Sequence, residues 1–143
     1  MVSEYRLKRR VQFYETDSAG IVHFSWFYRY MEEAEHALWR EAGLSILEPV
    51  PEVGFPRVSA SFDFKRPLRF EDVFELHLTI AEIRAKTIRY KALVTLDDAT
   101  VATGSLTVAC VSRIPGQPMQ AIPIPSSIAG RFQSATEDPP SGP

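Results

Sequence analysis

The stretch Ser25-Trp26-Phe27-Tyr28-Arg29-Tyr30-Met31-Glu32-Glu33-Ala34-Glu35-His36-Ala37-Leu38-Trp39-Arg40 decides the fold. Phe27, Tyr30, Met31, Ala34 and Leu38 recur at helical spacing, so one face of a helix is apolar. Glu32, Glu33, His36 and Arg40 fall largely off that stripe. Ser25 is placed to cap the N-terminus, and Gly43 to stop the C-terminus. The pattern supports no other long helix. On either side of it the period is two. Leu7, Val11 and Phe13 alternate with Lys8, Arg10 and Gln12, which predicts a half-buried first strand. After the helix come Val58, Ala60, Phe62 and Phe64, then Phe74, Leu76, Leu78 and Ile80, then Ile88, Tyr90, Ala92, Val94 and Leu96. Asp97-Asp98 marks a hairpin turn before Ala102, Gly104, Leu106, Val108 and Cys110. Strand, helix, then about four antiparallel strands is an α+β order, and one helix laid on one sheet buries both apolar surfaces economically.

The chain has 143 residues, is 45% hydrophobic and carries a net charge of −2. That predicts one domain with a real core, and the charge balance gives no sign of a nucleic-acid partner. The sequence divides into a domain over residues 1–112 and a segment over 113–143, where Pro115, Pro118, Pro123 and Pro125 interrupt regular structure. Within that segment a short helix around Ser127 to Phe132 is an option, and Thr136 to Pro143 reads as a disordered tail. The lone Cys110 fits a reducing cytoplasm, and its place in an apolar alternation fits packing. Met1 to Arg10 is charged and lacks an apolar signal core, and no apolar run is long enough to span a membrane. No His, Cys or Asp spacing points to a metal site, so no metal and no cofactor are expected.

Between the first strand and the helix lies Tyr14-Glu15-Thr16-Asp17-Ser18-Ala19-Gly20-Ile21-Val22-His23-Phe24-Ser25. It sets one acid on a Gly-containing turn just ahead of a helix start. Free backbone N–H groups and the positive end of the helix dipole gather there. A carboxylate that attacks or activates water, beside N–H donors for a developing oxyanion, suits acyl transfer. An Asp in that position also serves simply to stabilise a turn or cap a helix.

The chain resembles the hotdog-fold thioesterases of the 4-hydroxybenzoyl-CoA thioesterase type and the related short-chain acyl-CoA thioesterases. Thr16-Asp17-Ser18-Ala19-Gly20-Ile21-Val22-His23-Phe24-Ser25, Phe27 to Ala34, and the weaker Pro67-Leu68…Glu71-Asp72-Val73 carry the resemblance. It implies a hotdog fold, in which one long central helix is wrapped by an antiparallel sheet of about five strands. It implies that Asp17 matches the catalytic carboxylate and that the amides around His23 and Phe24 polarise the thioester carbonyl. Relatives often carry Tyr or His where this chain has Phe24, and Asn where it has Trp26. Arg84 and Lys86 match a basic segment that contacts the CoA nucleotide. The resemblance further implies a homodimer or homotetramer acting on an acyl-CoA, or on an acyl carrier protein.

The expected catalytic residues are therefore Asp17, His23 and Phe24, with substrate contacts at Gly20, Ser25, Trp26, Tyr28, Arg84 and Lys86. His23 is a candidate proton shuttle, because a histidine side chain can both give and take a proton, or it makes a hydrogen bond at the turn. Phe27 and Tyr30 belong to the core stripe, which leaves Trp26 and Tyr28 for a pocket or an interface. Glu32, Glu33 and Glu35 read as a solvated or interface face. Arg84, Lys86, Arg89 and Lys91 read either as a solvent-facing strand or as phosphate ligands. Two rival functions remain: a hotdog dehydratase on a hydroxyacyl thioester, and a non-catalytic acyl-CoA or acyl-carrier binding module.

Overall fold

The computed structural model describes residues 1–47 and 52–135. The predicted order is present: β1 (Glu4–Arg10), α1 (Ser25–Glu41), β2 (Val53–Gly54), β3 (Arg57–Phe64), β4 (Val73–Ile83), β5 (Thr87–Leu96), β6 (Ala99–Ala109), β7 (Val111–Ser112) and α2 (Ser126–Ala129). Five strands form one antiparallel sheet in the order β1-β4-β5-β6-β3, and β2 pairs with β7 in a separate two-stranded ribbon. This is the expected α+β hotdog arrangement. The β2–β7 ribbon was not expected, because two residues carry no periodicity. Thr136 to Pro143 lie outside the described residues. Among the described residues no helix is long and apolar enough to cross a membrane.

The core follows the alternation. Phe74, Leu76, Leu78 and Ile80 of β4 and Ile88, Tyr90, Ala92 and Val94 of β5 are all buried. Each such side chain contributes about 1.5–3 kcal/mol by leaving water. The helix presents its predicted stripe to the sheet, yet Glu35, Ala37 and Trp39 are buried as well. The reason is a second cover. Phe132, just after α2, lies 5.2 Å from Trp39 ring to ring, and Phe55 lies 5.0 Å from it on another side. The helix is thus enclosed beyond the width of an amphipathic stripe.

Asp97 and Asp98 both have positive φ, 49° and 65°, between the paired Leu96 and Ala99. A two-residue hairpin needs that twist, and Asp tolerates it. On β6, Gly104 stands opposite Phe62 of β3, and a Cβ there would meet the ring at 2.5 Å. The missing side chain lets Phe62 lie across the sheet and reach Phe27 and Tyr28 of the helix.

Four expectations need correction. Phe13 is 73% exposed, because β1 ends at Arg10 and residues Phe13–Glu15 form a 3-10 turn. Ser25 is the first helical residue and not the cap: Phe24 holds the cap position and provides no side-chain bond there. Glu35 is fully buried and not on a solvated face. Val58 sits at a bulge between Arg57 and Ser59 and is exposed, as are Ala60 and Phe64, since β3 is the sheet's edge.

Candidate active site

The loop from Thr16 to Val22 is closed at its base by a bridge between those two residues. The Asp17 N–H donates to the Ile21 carbonyl and the Gly20 N–H to the Asp17 carbonyl, each at 2.9 Å. Gly20 has a φ of +77°, a left-handed conformation that closes the turn without strain only for glycine. The Ala19 N–H donates to Asp17 Oδ1 at 2.8 Å, so Asp17 stabilises its own turn. Asp17 Oδ2 has no hydrogen-bond donor among the described residues. The two readings of this acid, turn former and reactive carboxylate, are therefore compatible within one side chain.

The second matched segment holds the first. The Val22 N–H donates to the Leu68 carbonyl at 2.8 Å, and Ile21 bridges to Arg69. The Asp72 carboxylate in turn accepts from the Arg69 N–H at 2.8 Å. Pro67 to Val73 is thus a clamp under the Asp17 loop.

The helix start sorts its donors. The His23 N–H is taken by the Glu15 carbonyl at 2.9 Å. The Trp26 N–H bonds the His23 carbonyl at 3.0 Å, and the Phe27 N–H bonds the Phe24 carbonyl at 3.2 Å. The Ser25 N–H turns to His23 Nδ1 at 3.3 Å. The Phe24 N–H alone of this group has no acceptor among the described residues. Of the amides expected around His23 and Phe24, the His23 N–H is occupied and the Phe24 N–H is open.

Ser25 Oγ also lies 2.8 Å from His23 Nδ1. Ser25 thus meets that nitrogen with both its backbone N–H, which donates to it, and its hydroxyl. The ring stacks against Phe24 with centroids 4.7 Å apart. Trp26 is half-buried, 5.6 Å from Tyr14 and 6.3 Å from Tyr30. Tyr28 points elsewhere. It packs on Phe62 at 5.2 Å and lines a small hollow with Arg57, Ala60 and Leu106 beside the β3 edge. Trp26 and Tyr28 therefore do not share a pocket within one chain.

Arg84 and Lys86 are also remote from the Asp17 loop. They occupy the turn between β4 and β5, both exposed. The Asp17 loop follows β1, whose last residue Arg10 pairs with Val73 at the start of β4. Arg84 follows Ile83 at the end of that 11-residue strand. At about 3.3 Å per residue, β4 sets Arg84 roughly 30 Å along the sheet from Val73, the end from which the chain leads into the Asp17 loop. Arg84 is paired with Glu82, which raises its pKa, and Glu82 also meets Arg89 at 3.5 Å.

Sequence reasoning missed two buried acids. Glu15 lies two residues before Asp17 and is fully buried. Glu35 meets Arg57 on β3 at 2.5 Å. Burial pushes the Glu35 carboxyl up, while Arg57 pulls it back. Beside that pair a cavity of about 700 Å³ opens between the C-terminal half of α1 and the β2–β7 ribbon, lined among others by His36, Arg40, Phe55 and Arg113. Its lining does not include Asp17.

Residues 11–132 match the family of thioesterase-like proteins. The chain belongs to the thioesterase-like superfamily. The hotdog fold and thioester hydrolysis, the reaction class expected from the resemblance, stand with that membership. The chain is similar to a 1,4-dihydroxy-2-naphthoyl-CoA hydrolase of Synechococcus, 33% identical over 108 residues that cover 69% of this chain and 71% of the relative. Among solved structures it is similar to a gentisyl-coenzyme A thioesterase, with 30% identity, a TM-score of 0.79, and 90% and 99% of the two chains covered. A mutant 4-hydroxybenzoyl-CoA thioesterase bound to 4-hydroxybenzoyl-CoA shares the fold, with 20% identity, a TM-score of 0.79, and 90% and 98% of the chains covered.

Proposed function

We propose that this thioesterase-family chain hydrolyses an acyl-CoA to the free acid and CoA at the Asp17 loop. One observation carries the reading: the Phe24 N–H stands without an acceptor among the described residues, at a helix start, behind a loop that presents a carboxylate oxygen without a donor. The Phe24 N–H, aided by the helix dipole, receives the thioester carbonyl oxygen as it gains charge. Asp17 either takes a proton from the attacking water or attacks the carbonyl itself. The carbon–sulfur bond then breaks and CoA leaves as thiolate, which is protonated. In the second route water hydrolyses the resulting acyl-Asp anhydride. The His23 ring stands beside Phe24, and a ring N–H there provides a donor for the leaving group. The aromatic flank of Tyr14, Phe24 and Trp26 suits a flat acyl group, and the relatives named above act on or bind hydroxylated aromatic acyl-CoAs. The buried Cys110 fits a reducing, cytoplasmic setting.

The separation of Arg84 and Lys86 from Asp17 favours a site shared between chains, because it exceeds the reach of one phosphopantetheine arm. The β3 edge and the exposed Val58 and Phe64 would pair readily with a second copy. In this reading Arg84 and Lys86 of one chain hold the nucleotide phosphates of a substrate whose thioester lies at Asp17 of another. Arg84 would exchange an exposed ion pair with Glu82 for a phosphate, a more highly charged acceptor. The Arg84→Ala/Lys86→Ala variant should raise KM for acyl-CoA roughly tenfold and leave KM for the matching acyl-pantetheine unchanged. Mixed with Asp17→Asn chains at low acyl-CoA, it should show more activity than the two separate preparations sum to. Each mixed pair holds one intact site. Equal KM changes on both substrates would remove these residues from nucleotide binding, and a fully active monomer would end the shared site.

A further inference from the structure

Glu15 is fully buried, and its surroundings are unusually specific for an acid so close to a proposed reaction centre. Its Oε1 accepts the Arg9 Nη1 hydrogen bond, the Gln12 N–H and the Tyr30 hydroxyl, all at 2.8 Å. Its Oε2 takes Arg9 Nη1 in ion-pair contact at 2.6 Å, without a well-directed hydrogen bond. Arg9 lies over the Tyr30 ring, 4.7 Å from its centre, and reaches Glu33 at 2.9 Å on its other side. Strand β1, helix α1 and the 3-10 turn are therefore tied together at one carboxylate. The backbone carbonyl of the same residue accepts the His23 N–H. That bond occupies the His23 N–H at the helix start.

We propose that Glu15 is a positioning residue: its buried carboxylate, fixed by Arg9, Tyr30 and Gln12, anchors the backbone that holds the Asp17 loop. The inference rests on the proposed role of Asp17. A buried carboxylate that accepts three hydrogen bonds and an ion pair resists rotation, because any other orientation leaves a charge unpaired in the core. Its neighbours respond in kind: burial, then the Glu15 hydrogen bond, pushes the Tyr30 phenol well above its ordinary range. The anchor is placed where small shifts matter. One peptide unit separates Glu15 from the bridged Thr16, and Asp17 comes next. Misplacement of a reacting group by about 1 Å is enough to cost on the order of a hundredfold in rate.

Glu15→Gln keeps the shape and the acceptor oxygen but leaves Arg9 without its buried anion. Wild type, Glu15→Gln, Asp17→Asn and the double variant are compared by steady-state kinetics on the best acyl-CoA, at a temperature where circular dichroism shows each folded. The expected result is a kcat at least tenfold lower for Glu15→Gln, with KM within about twofold. The double variant should be no slower than Asp17→Asn alone, because Glu15 acts through the Asp17 site. A purely structural role would lower thermal stability without that kcat-against-KM split. Tyr30→Phe, which removes one hydrogen bond from the carboxylate, serves if Glu15→Gln does not fold; it should lower kcat severalfold, again without a further loss on top of Asp17→Asn. Near wild-type kcat in the folded variant, or losses that multiply with Asp17→Asn, overturns the inference and leaves the Asp17 reading intact. A wild-type rate in Asp17→Asn itself overturns both.

Discussion

Asp17→Asn should lower kcat on the best acyl-CoA by about a hundredfold or more, with KM changed by no more than a few-fold. A hundredfold corresponds to about 2.7 kcal/mol of lost transition-state stabilisation, within the range for removing a nucleophile or general base. The substitution is mild for the fold. Asn retains an Oδ1 to accept the Ala19 N–H, so the turn keeps its internal bond. The backbone bonds that close the loop, from Asp17 to Ile21 and from Gly20 to Asp17, do not involve the side chain. What is lost is a negative oxygen in front of the helix start. A near wild-type rate would make Asp17 a turn former only and move the chemistry elsewhere.

The largest effect on stability is expected at Arg57. Its guanidinium is the cation for the fully buried Glu35 and also meets Glu32 at 3.3 Å. Arg57→Ala strands the Glu35 carboxylate in the core, where the Tyr90 hydroxyl and His36 are its remaining polar neighbours. Breaking one side of a buried pair typically costs about 3–5 kcal/mol. Arg57 is itself 31% exposed, which brings the expectation to about 2–4 kcal/mol and on the order of 10 °C in Tm. The loss should depend on pH with a definite sign. Glu35 is already raised by burial, and without Arg57 it rises further. The folded variant then binds a proton more tightly than the unfolded chain, so its stability falls as pH rises above the ordinary carboxylate value of 4.5. The Tm deficit of Arg57→Ala should be largest near neutral pH and shrink toward pH values of about 5. The Glu35→Gln/Arg57→Met double variant should regain part of the loss, since both charges are gone. A Tm within about 1 °C of wild type for Arg57→Ala would show that the pair does not hold the helix to β3.

The helix and the five-stranded sheet were legible because their apolar periods are long and clean, as in Phe74 to Ile80 and Ile88 to Val94. The loop carrying Asp17 was legible because Gly20 and the helix start are local features. Glu35 was not, because its partner Arg57 is 22 residues away and a Glu on a helix gives the same pattern whether it meets solvent or a buried cation. Glu15 was hidden for a similar reason: three of its contacts come from β1, the turn and α1, and only the fold assembles them. Continuing the β1 alternation through Val11 and Phe13 put Phe13 inside. The 3-10 turn instead rotates Phe13 outward, against Phe70, and buries Glu15. The occupation of the His23 N–H was likewise beyond sequence, since it depends on the Glu15 carbonyl reaching His23. The distance between Asp17 and Arg84 follows only once β4 is known to run unbroken from Val73 to Ile83.

The central claim, hydrolysis of an acyl-CoA thioester, is tested most directly by following free thiol with a thiol-reactive dye while the purified chain is offered a panel of aromatic and aliphatic acyl-CoAs. Catalytic release of one thiol per free acid formed is expected from at least one acyl-CoA in the panel. Hydration without thiol release would make the protein a dehydratase-type hotdog. Tight binding of acyl-CoA with no turnover would make it a binding module. Either result would contradict the account.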